Sequence, residues 1–514
     1  MHPFFKPFCL TRPAKQTSTR RTALVLISKC LGVGAAAILG GANALGQYAA
    51  PPSPSPFSGF INEMLRKNDP YMAAWDFGGN VRLRYEIREN GGATAAGAGG
   101  DFRERGVDND NSYFLSRLRV RAGYTATWFS ALVEGRSSAT TGDDRNPNPE
   151  SDGPLDLHQA YVSIGNHKEF PLSVKIGRQE LSYGDERVVG AFAWNNIGRV
   201  FDAAKVRWQN EYFSADFFTG RVVIPDDNNF NVSNDYDQFS GVYASTKLVP
   251  KQTTEVYFLA RNASARAASA QPTSLLPLPS ARDIYTLGLR AKSNPGELGP
   301  WDYGFELMGQ LGHYNDPLVT PTSRRSLDHE AYAAVAQLGY TWTDSSMTPR
   351  LGLEYSFGSG DSDPADNKHQ TFENLFPTNH KFYGYMDFLS LQNIHDGRLS
   401  LSCKPTAQMS LAIEGHAFWL AETADSFYNV GGARRGTLTS NRGNGLGYGI
   451  NPAYSNYLGS EIDLVAGYAV TKYLSLEAGY GHFFVGGYVK QSLSAPARGA
   501  VDADWVYLQS SFNF

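Results

Sequence analysis

YFLSRLRVRAGY, residues 113–124, decides how this chain is read. Arg117, Arg119 and Arg121 fall at every second position, with Leu118, Val120 and Ala122 between them. Successive side chains of a β-strand point to opposite faces, so the segment has one cationic face and one apolar face. VRLRYEIR, residues 81–88, repeats the code: Arg82, Arg84, Glu86 and Arg88 alternate with Val81, Leu83, Tyr85 and Ile87. A soluble sandwich alternates too, but its polar face meets bulk water and seldom carries charge alone. The pattern recurs as far as Phe514, which predicts an all-β chain: a single transmembrane antiparallel β-barrel with a charged, water-filled lumen. On this reading the arginines line a conduit for an anionic solute.

The 514 residues would fill two to four ordinary domains, yet no shift of composition divides them, and one large barrel absorbs the length equally well. Aromatic residues at 13% suit the girdles of a membrane barrel, and would also suit a carbohydrate-binding β protein. The 52 glycines and 27 prolines fit many turns better than long helices. A net charge of -4 gives no reason to invoke nucleic acid, so the basic residues matter by placement. Of the three cysteines, Cys9 and Cys30 fall in the expected leader, leaving Cys403 as a free buried thiol and no intramolecular disulfide framework.

The N-terminus reads as a secretory signal over residues 1–44. Lys6, Arg12, Lys15, Arg20 and Arg21 form a basic region, Ala23 to Gly41 is small and apolar, and Ala42-Asn43-Ala44 offers a cleavage site. A membrane anchor is the alternative, which Lys29 and the glycines disfavour. Lys29 before Cys30 argues against lipidation at that cysteine. Beyond the leader no run of about 18 apolar residues predicts a spanning helix. Residues 45–74 read as a tether, APPSPSPFSG, followed by a short helix or irregular plug near the barrel mouth over 61–74. Residues 75–514 are the barrel.

Strands are predicted over 77–88, 113–124, 128–136, 155–164, 172–179, 200–208, 212–222, 238–248, 255–261, 284–290, 301–311, 331–341, 350–358, 382–389, 398–404, 407–418, 459–470, 473–482 and 502–512. That tally is odd, whereas bacterial single-chain barrels close with an even count. Residues 382–389 are the weakest member, so about 18 strands are expected. Short turns alternate with longer polar loops at 137–153, 223–236, 262–281, 312–329, 359–380 and 420–457, as when one barrel end faces the periplasm. The terminal Phe514, with Phe512 before it, resembles the closing-strand signal of outer-membrane insertion.

An arginine facing lipid near the midplane costs about 2–4 kcal/mol, so Arg117, Arg119 and Arg121 must point inward. Parity sends Arg82, Arg84, Arg88, Lys205, Arg207, Arg290 and Arg350 the same way, along with Glu86, Glu134, Glu306, Glu354, Glu414, Glu461, Asp463 and Glu477. Two readings compete: ion pairs that satisfy buried charge and stiffen the wall, or an anion pathway with excess arginine at its narrowest section. The planar guanidinium fork suits carboxylates, and conduction needs each site weak enough to release its ion. A denser motif, IGRQELSYGDERVVG with WNNIGRVFDAAKV, spans 176–206 and reads either as an inward-folded constriction or as a charged rim.

These segments, with SGDSDPAD at 359–366 and FENLFPTNHKFYGYMD at 372–387, make the chain resemble the alginate export family of bacterial outer-membrane β-barrels. The resemblance implies a monomer of about 18 strands. It also implies passage of an anionic uronate polymer outward through an arginine-rich constriction, with Arg84, Arg119, Arg178, Arg187 and Arg199 as constriction residues. Its expected partners are an anionic polysaccharide or oligosaccharide, outer-membrane lipid, and periplasmic polymer-synthesis or secretion proteins.

Asp361, Asp363 and Asp366 are hard oxygen donors that suit Ca²⁺, but they lack a complete calcium-loop motif, and a solvated turn is the default. His380, His395 and His416 show no metal-ligand spacing, and no elbow motif marks a nucleophilic serine, so no catalytic residue is assigned. The function classes carried forward are a channel for an anionic polysaccharide, an anion-selective porin for small sugar acids or other organic acids, a glycan-binding β protein, and an outer-membrane hydrolase.

Overall fold

The computed structural model describes residues 57–92, 94, 99–145, 148–226, 229–267, 281–316, 325–435, 448–494 and 499–514. The expected signal peptide and most of the tether lie outside the described residues. Alternating apolar and polar residues form β1 (Trp75–Glu89), β2 (Asn111–Thr125), β3 (Phe129–Thr141), β4 (Asp152–Ile164), β5 (Leu172–Gln179), β6 (Phe201–Gln209), β7 (Phe213–Ile224), β8 (Val232–Thr246), β9 (Gln252–Ala263) and β10 (Arg282–Ser293). The sheet continues through β11 (Trp301–Asp316), β12 (Arg325–Thr341), β13 (Arg350–Gly358), β14 (Lys368–His369), β15 (Ile394–Cys403), β16 (Met409–Leu420), β17 (Tyr457–Ala469), β18 (Leu474–Val485) and β19 (Ala503–Asn513).

β14 is a two-residue strand lying parallel on β12, outside the wall. The other eighteen strands pair antiparallel with their neighbours, and β1 pairs with β19, from Asn80↔Asn513 to Glu89↔Asp504, which closes the barrel. Among the described residues closure leaves no wall strand without a partner on each side, the condition a spanning sheet must meet in lipid. Among the described residues no helix is long and apolar enough to cross a membrane.

The alternation sorts the faces as parity requires. On β1, Leu83, Tyr85 and Ile87 are 39–41% exposed, whereas Arg82, Arg84 and Glu86 are 5% exposed or less. Leu118 and Val120 likewise look outward between buried Arg117 and the half-buried Arg119 and Arg121. Tight connections at 126–128, 210–212, 404–408 and 470–473 mark one end of the barrel, and both β1 and β19 meet there. At that end Trp75 packs on Tyr124 and Trp301 on Tyr340, at ring separations of 5.0 and 4.8 Å, part of an aromatic rim. The helix Phe60–Asn68 and the 3-10 turn Pro70–Ala74 sit at this rim. They are fixed by Asn62, which donates to Asp76 at 2.7 Å and accepts from the Phe77 N–H.

The chain leaves two of the shorter wall strands, β5 and β13, to turn inward. From the end of β5 the 180–200 segment enters the barrel, and from the end of β13 the 359–393 segment does the same. They meet as a parallel bridge, Val189↔Phe376: the Gly190 N–H donates to the Phe376 carbonyl at 2.8 Å, and the Phe376 N–H to the Val188 carbonyl at 3.0 Å. Val189, Phe372, Tyr383, Met386 and Phe388 become a core in the interior, each at most 2% exposed. Residues 382–389 are therefore not a wall strand. Their aromatic run packs inside, and setting them aside leaves the even count. The 359–380 stretch is likewise no outlying polar loop.

Candidate functional site: the barrel interior

The interior is built from the wall inward. β1, β2 and β3 place Arg82 opposite Arg117 and Arg119 opposite Arg136. Carboxylates reach only some of these cations. Arg84 pairs with Glu86 at 2.7 Å, Arg119 with Glu180 at 3.4 Å and Glu134 at 3.8 Å, and Arg121 with Asp76 at 3.4 Å; Arg136 pairs with Asp152. Arg82 and Arg117 have no carboxylate partner among the described residues.

Backbone oxygens of the 180–200 segment take that place. Arg82 donates to the Ala193 carbonyl at 2.9 Å and to that of Asn195 at 3.2 Å, and Arg117 reaches the same two at 3.1 and 3.4 Å. Arg84 donates to the Trp194 carbonyl at 2.9 Å, Arg136 to that of Ile197 at 2.9 Å, and the Ser138 hydroxyl to that of Asn196 at 2.7 Å. Five consecutive carbonyls, 193 through 197, are thus turned toward one cationic face. The local sequence shapes the turn: the Asn195 side chain accepts from the Ile197 and Gly198 N–H groups. Gly198 has φ +80°, and a Cβ there would sit 3.0 Å from Arg119 Nη2. Trp194 lies between the Arg84 guanidinium, 3.9 Å from its ring centre, and the His380 ring, stacked at 3.9 Å.

β15, β16 and β17 present the opposite chemistry. Asp396, Glu414, Glu461 and Asp463 are buried on their inward faces, accompanied by His416 and Arg398. His416 meets Asp396 at 3.0 Å and Arg398 pairs with Glu414. Glu461 and Asp463 instead accept backbone N–H groups of the 359–393 segment, from Met386 at 2.9 Å and Tyr385 at 3.5 Å. Gly384, at φ +84°, lets that backbone lie directly on the Glu461 carboxylate. The two inward segments are therefore held by opposite ends of the peptide dipole, one by its carbonyls and one by its N–H groups.

The other residues singled out in the sequence are dispersed. Arg178 on β5 makes a two-pronged pair with Asp202, at 2.8 and 3.0 Å. Arg187 crosses the barrel to Glu354 on β13 at 2.8 Å and lies 3.9 Å over the Phe382 ring. Arg199 donates to the carbonyls of Gly190 and Pro377, tying the inward segments together. Arg207 and Lys205 share Asp216 at 2.8 and 3.1 Å. Of the arginines singled out in the sequence, Arg82, Arg84, Arg117, Arg119 and Arg121 share the inward face of β1 and β2 and form one patch. Arg136 belongs to it and was reachable by parity, since it sits two residues after Glu134. In the 180–200 segment, burial alone would raise the Asp185 carboxyl, but Arg290 and Lys292 hold it below the ordinary carboxylate value.

Asp361, Asp363 and Asp366 each accept a backbone N–H two residues on, at 3.2 Å from Asp363, 3.1 Å from Ala365 and 2.6 Å from Lys368. Among the described residues no three acidic, His or Cys side chains are grouped to hold a metal. Cys403 is a half-buried free thiol on β15. Toward the tight-turn end the interior opens into a cavity of about 330 Å³, lined by Lys404, Ser410, Glu477, Gln509 and Ser511.

The family model for alginate export matches residues 74–500. No curated protein matches the chain. Among solved structures, OccAB1 of Acinetobacter baumannii is similar at a TM-score of 0.51 and 9% identity, with 86% of this chain and 97% of that chain covered. OccK8 (OprE) of Pseudomonas aeruginosa aligns at 0.50 and 11% identity, covering 86% and 98%. These likenesses concern the fold.

Proposed function

Since the chain belongs to the alginate export family and is a bacterial outer-membrane channel, we propose that it passes an anionic polysaccharide of the alginate type outward. The observation that carries this reading is the inward arginine patch of β1–β3. Two of its guanidiniums, those of Arg82 and Arg117, have no carboxylate at ion-pair distance among the described residues, and a guanidinium fork matches a uronate carboxylate by two parallel hydrogen bonds. The carboxylates of β15–β17 weaken retention, as passage from site to site requires. No bond is made or broken in the solute. The channel works as a monomer, and polymer reaches it from a periplasmic synthesis or secretion machine.

A second reading, an anion-selective porin for small sugar acids or other organic acids, is favoured by the two segments that cross the interior, because a small acid needs less room than a polymer. Planar-bilayer recordings of the mature chain test both. The expected result is anion-selective current whose reversal potential moves toward non-selective in Arg119→Gln/Arg121→Gln. Block by a long mannuronate polymer without its passage favours the porin, and unchanged selectivity in the double variant defeats the role given to the patch.

A further inference from the structure

The row of five carbonyls against the arginine patch has a consequence for how the channel opens. Arg82 and Arg117 are 5% and 9% exposed, are Cα partners across β1 and β2, and carry like charge. A buried cation without a counter-ion is costly, and here neutral carbonyls supply the partner. Among the described residues, the Nε groups of Arg82, Arg117 and Arg136, and Nη2 of Arg84, have no acceptor. The patch thus has more donors than the turn has oxygens, and a carboxylate offers each guanidinium what a single carbonyl lacks, an opposite full charge and two oxygens set for a two-pronged pair. Ala193, the residue both arginines hold, is itself exposed on its free side.

We propose that the 193–197 turn is a resident surrogate for the solute. Carboxylates of an entering uronate chain take Arg82 and Arg117 from the Ala193 and Asn195 carbonyls, the turn moves off the wall, and the cargo opens its own path. The exchange is of hydrogen bonds only: each guanidinium keeps its proton and its charge, and the released carbonyls are taken up by water. A ligand shifts such an equilibrium only through its differential affinity for the two states, which here lies in the carboxylate. This inference rests on the anionic-channel reading and adds its regulation.

The test uses the mature chain with Cys403→Ser and a spin label on Ala193→Cys. Label mobility and single-channel current are followed with a short mannuronate oligomer and with a neutral glucose oligomer of equal length. The expected result is that mannuronate raises both mobility and opening frequency and the neutral sugar raises neither. Arg117→Gln, which removes two of the bonds to the turn, is expected to raise the resting mobile fraction roughly tenfold, about 1.4 kcal/mol. Current modulated by mannuronate with an unmoved label overturns the exchange while leaving the channel reading standing. Equal mobilisation by the neutral sugar also overturns it. Absence of any anion-selective current, whatever the label does, removes the channel reading and the exchange together.

Discussion

Arg187 shows what a single interior charge does when its partner is a carboxylate. Its side chain is 1% exposed and pairs with Glu354, which is 9% exposed, so both ions are largely shielded from water. Removing one member of a buried pair leaves the other uncompensated and costs about 3–5 kcal/mol, whereas replacing both is often neutral. Arg187→Met is therefore expected to lower stability toward the smaller end of that range, because Arg398 still lies 3.9 Å from Glu354. Arg187→Met/Glu354→Gln is expected to recover most of the loss. Urea unfolding in detergent checks this, and a double variant no more stable than the single one would show that Glu354 is not the stranded group. Gly384 is the matching case for backbone. A side chain at its φ of +84° is strained by about 1–3 kcal/mol, and its Cβ would collide with the Glu461 carboxylate. Gly384→Ala is expected to accelerate hydrogen exchange of the Tyr385 and Met386 amides by about five- to 150-fold, the range that strain implies. Unchanged protection would mean that Glu461 and Asp463 do not hold this turn.

At the scale of elements, the wall was legible and its filling was only partly so. Period-two alternation locates strands wherever one face meets lipid, and each wall strand overlaps a predicted one. The boundaries fell short where strands outrun the alternation, as in β12, which starts at Arg325 and not near 331. FYGYMDFL at 382–389 misled because aromatic alternation has two causes: a strand against lipid, or a segment packed in an interior core. The positive φ values of Gly384 and Asp387 separate the two, and they are properties of backbone rather than of pattern. The WNNIG turn announces itself through its Asx geometry and glycine, but nothing in the sequence tells that its carbonyls meet Arg82 and Arg117. Carbonyls are common to every residue. The 359–393 segment also carries a titrating group. Burial first, and the Asp425 carboxylate second, push Asp361 up to about 6 from 3.8. A carboxyl with a raised value in the docked state is protonated there after the undocked state has lost its proton. Docking is thus strongest below about pH 4 and weakens as pH rises through 6. A spin label on Ala365→Cys, in Cys403→Ser, is expected to become more mobile between pH 4 and 7, and Asp361→Asn to flatten that profile. A profile unchanged by Asp361→Asn would assign it to another group.

For the whole molecule, one assignment governs the rest: which side of the wall is water and which is lipid. β15 puts the question to adjacent residues. Leu399 is 52% exposed on the outer face, while Ser400, its neighbour, points inward opposite Glu414. The same new charge therefore enters two media one residue apart. At position 399 an arginine meets acyl chains, at a cost of about 2–4 kcal/mol near the midplane. At position 400 it enters a polar interior beside a carboxylate. Leu399→Arg is expected to reduce the folded fraction in lipid vesicles, read as loss of the heat-modifiable band on gels, and Ser400→Arg to fold as the parent does. The single-residue spacing keeps the added charge the same and its depth the same to within about 3.3 Å, so the difference between the variants chiefly reports the medium on each face. Equal folding of the two would mean that outer and inner faces are alike, and a reversed order would place the arginines of β1–β3 on the wrong side of the wall for any conduit.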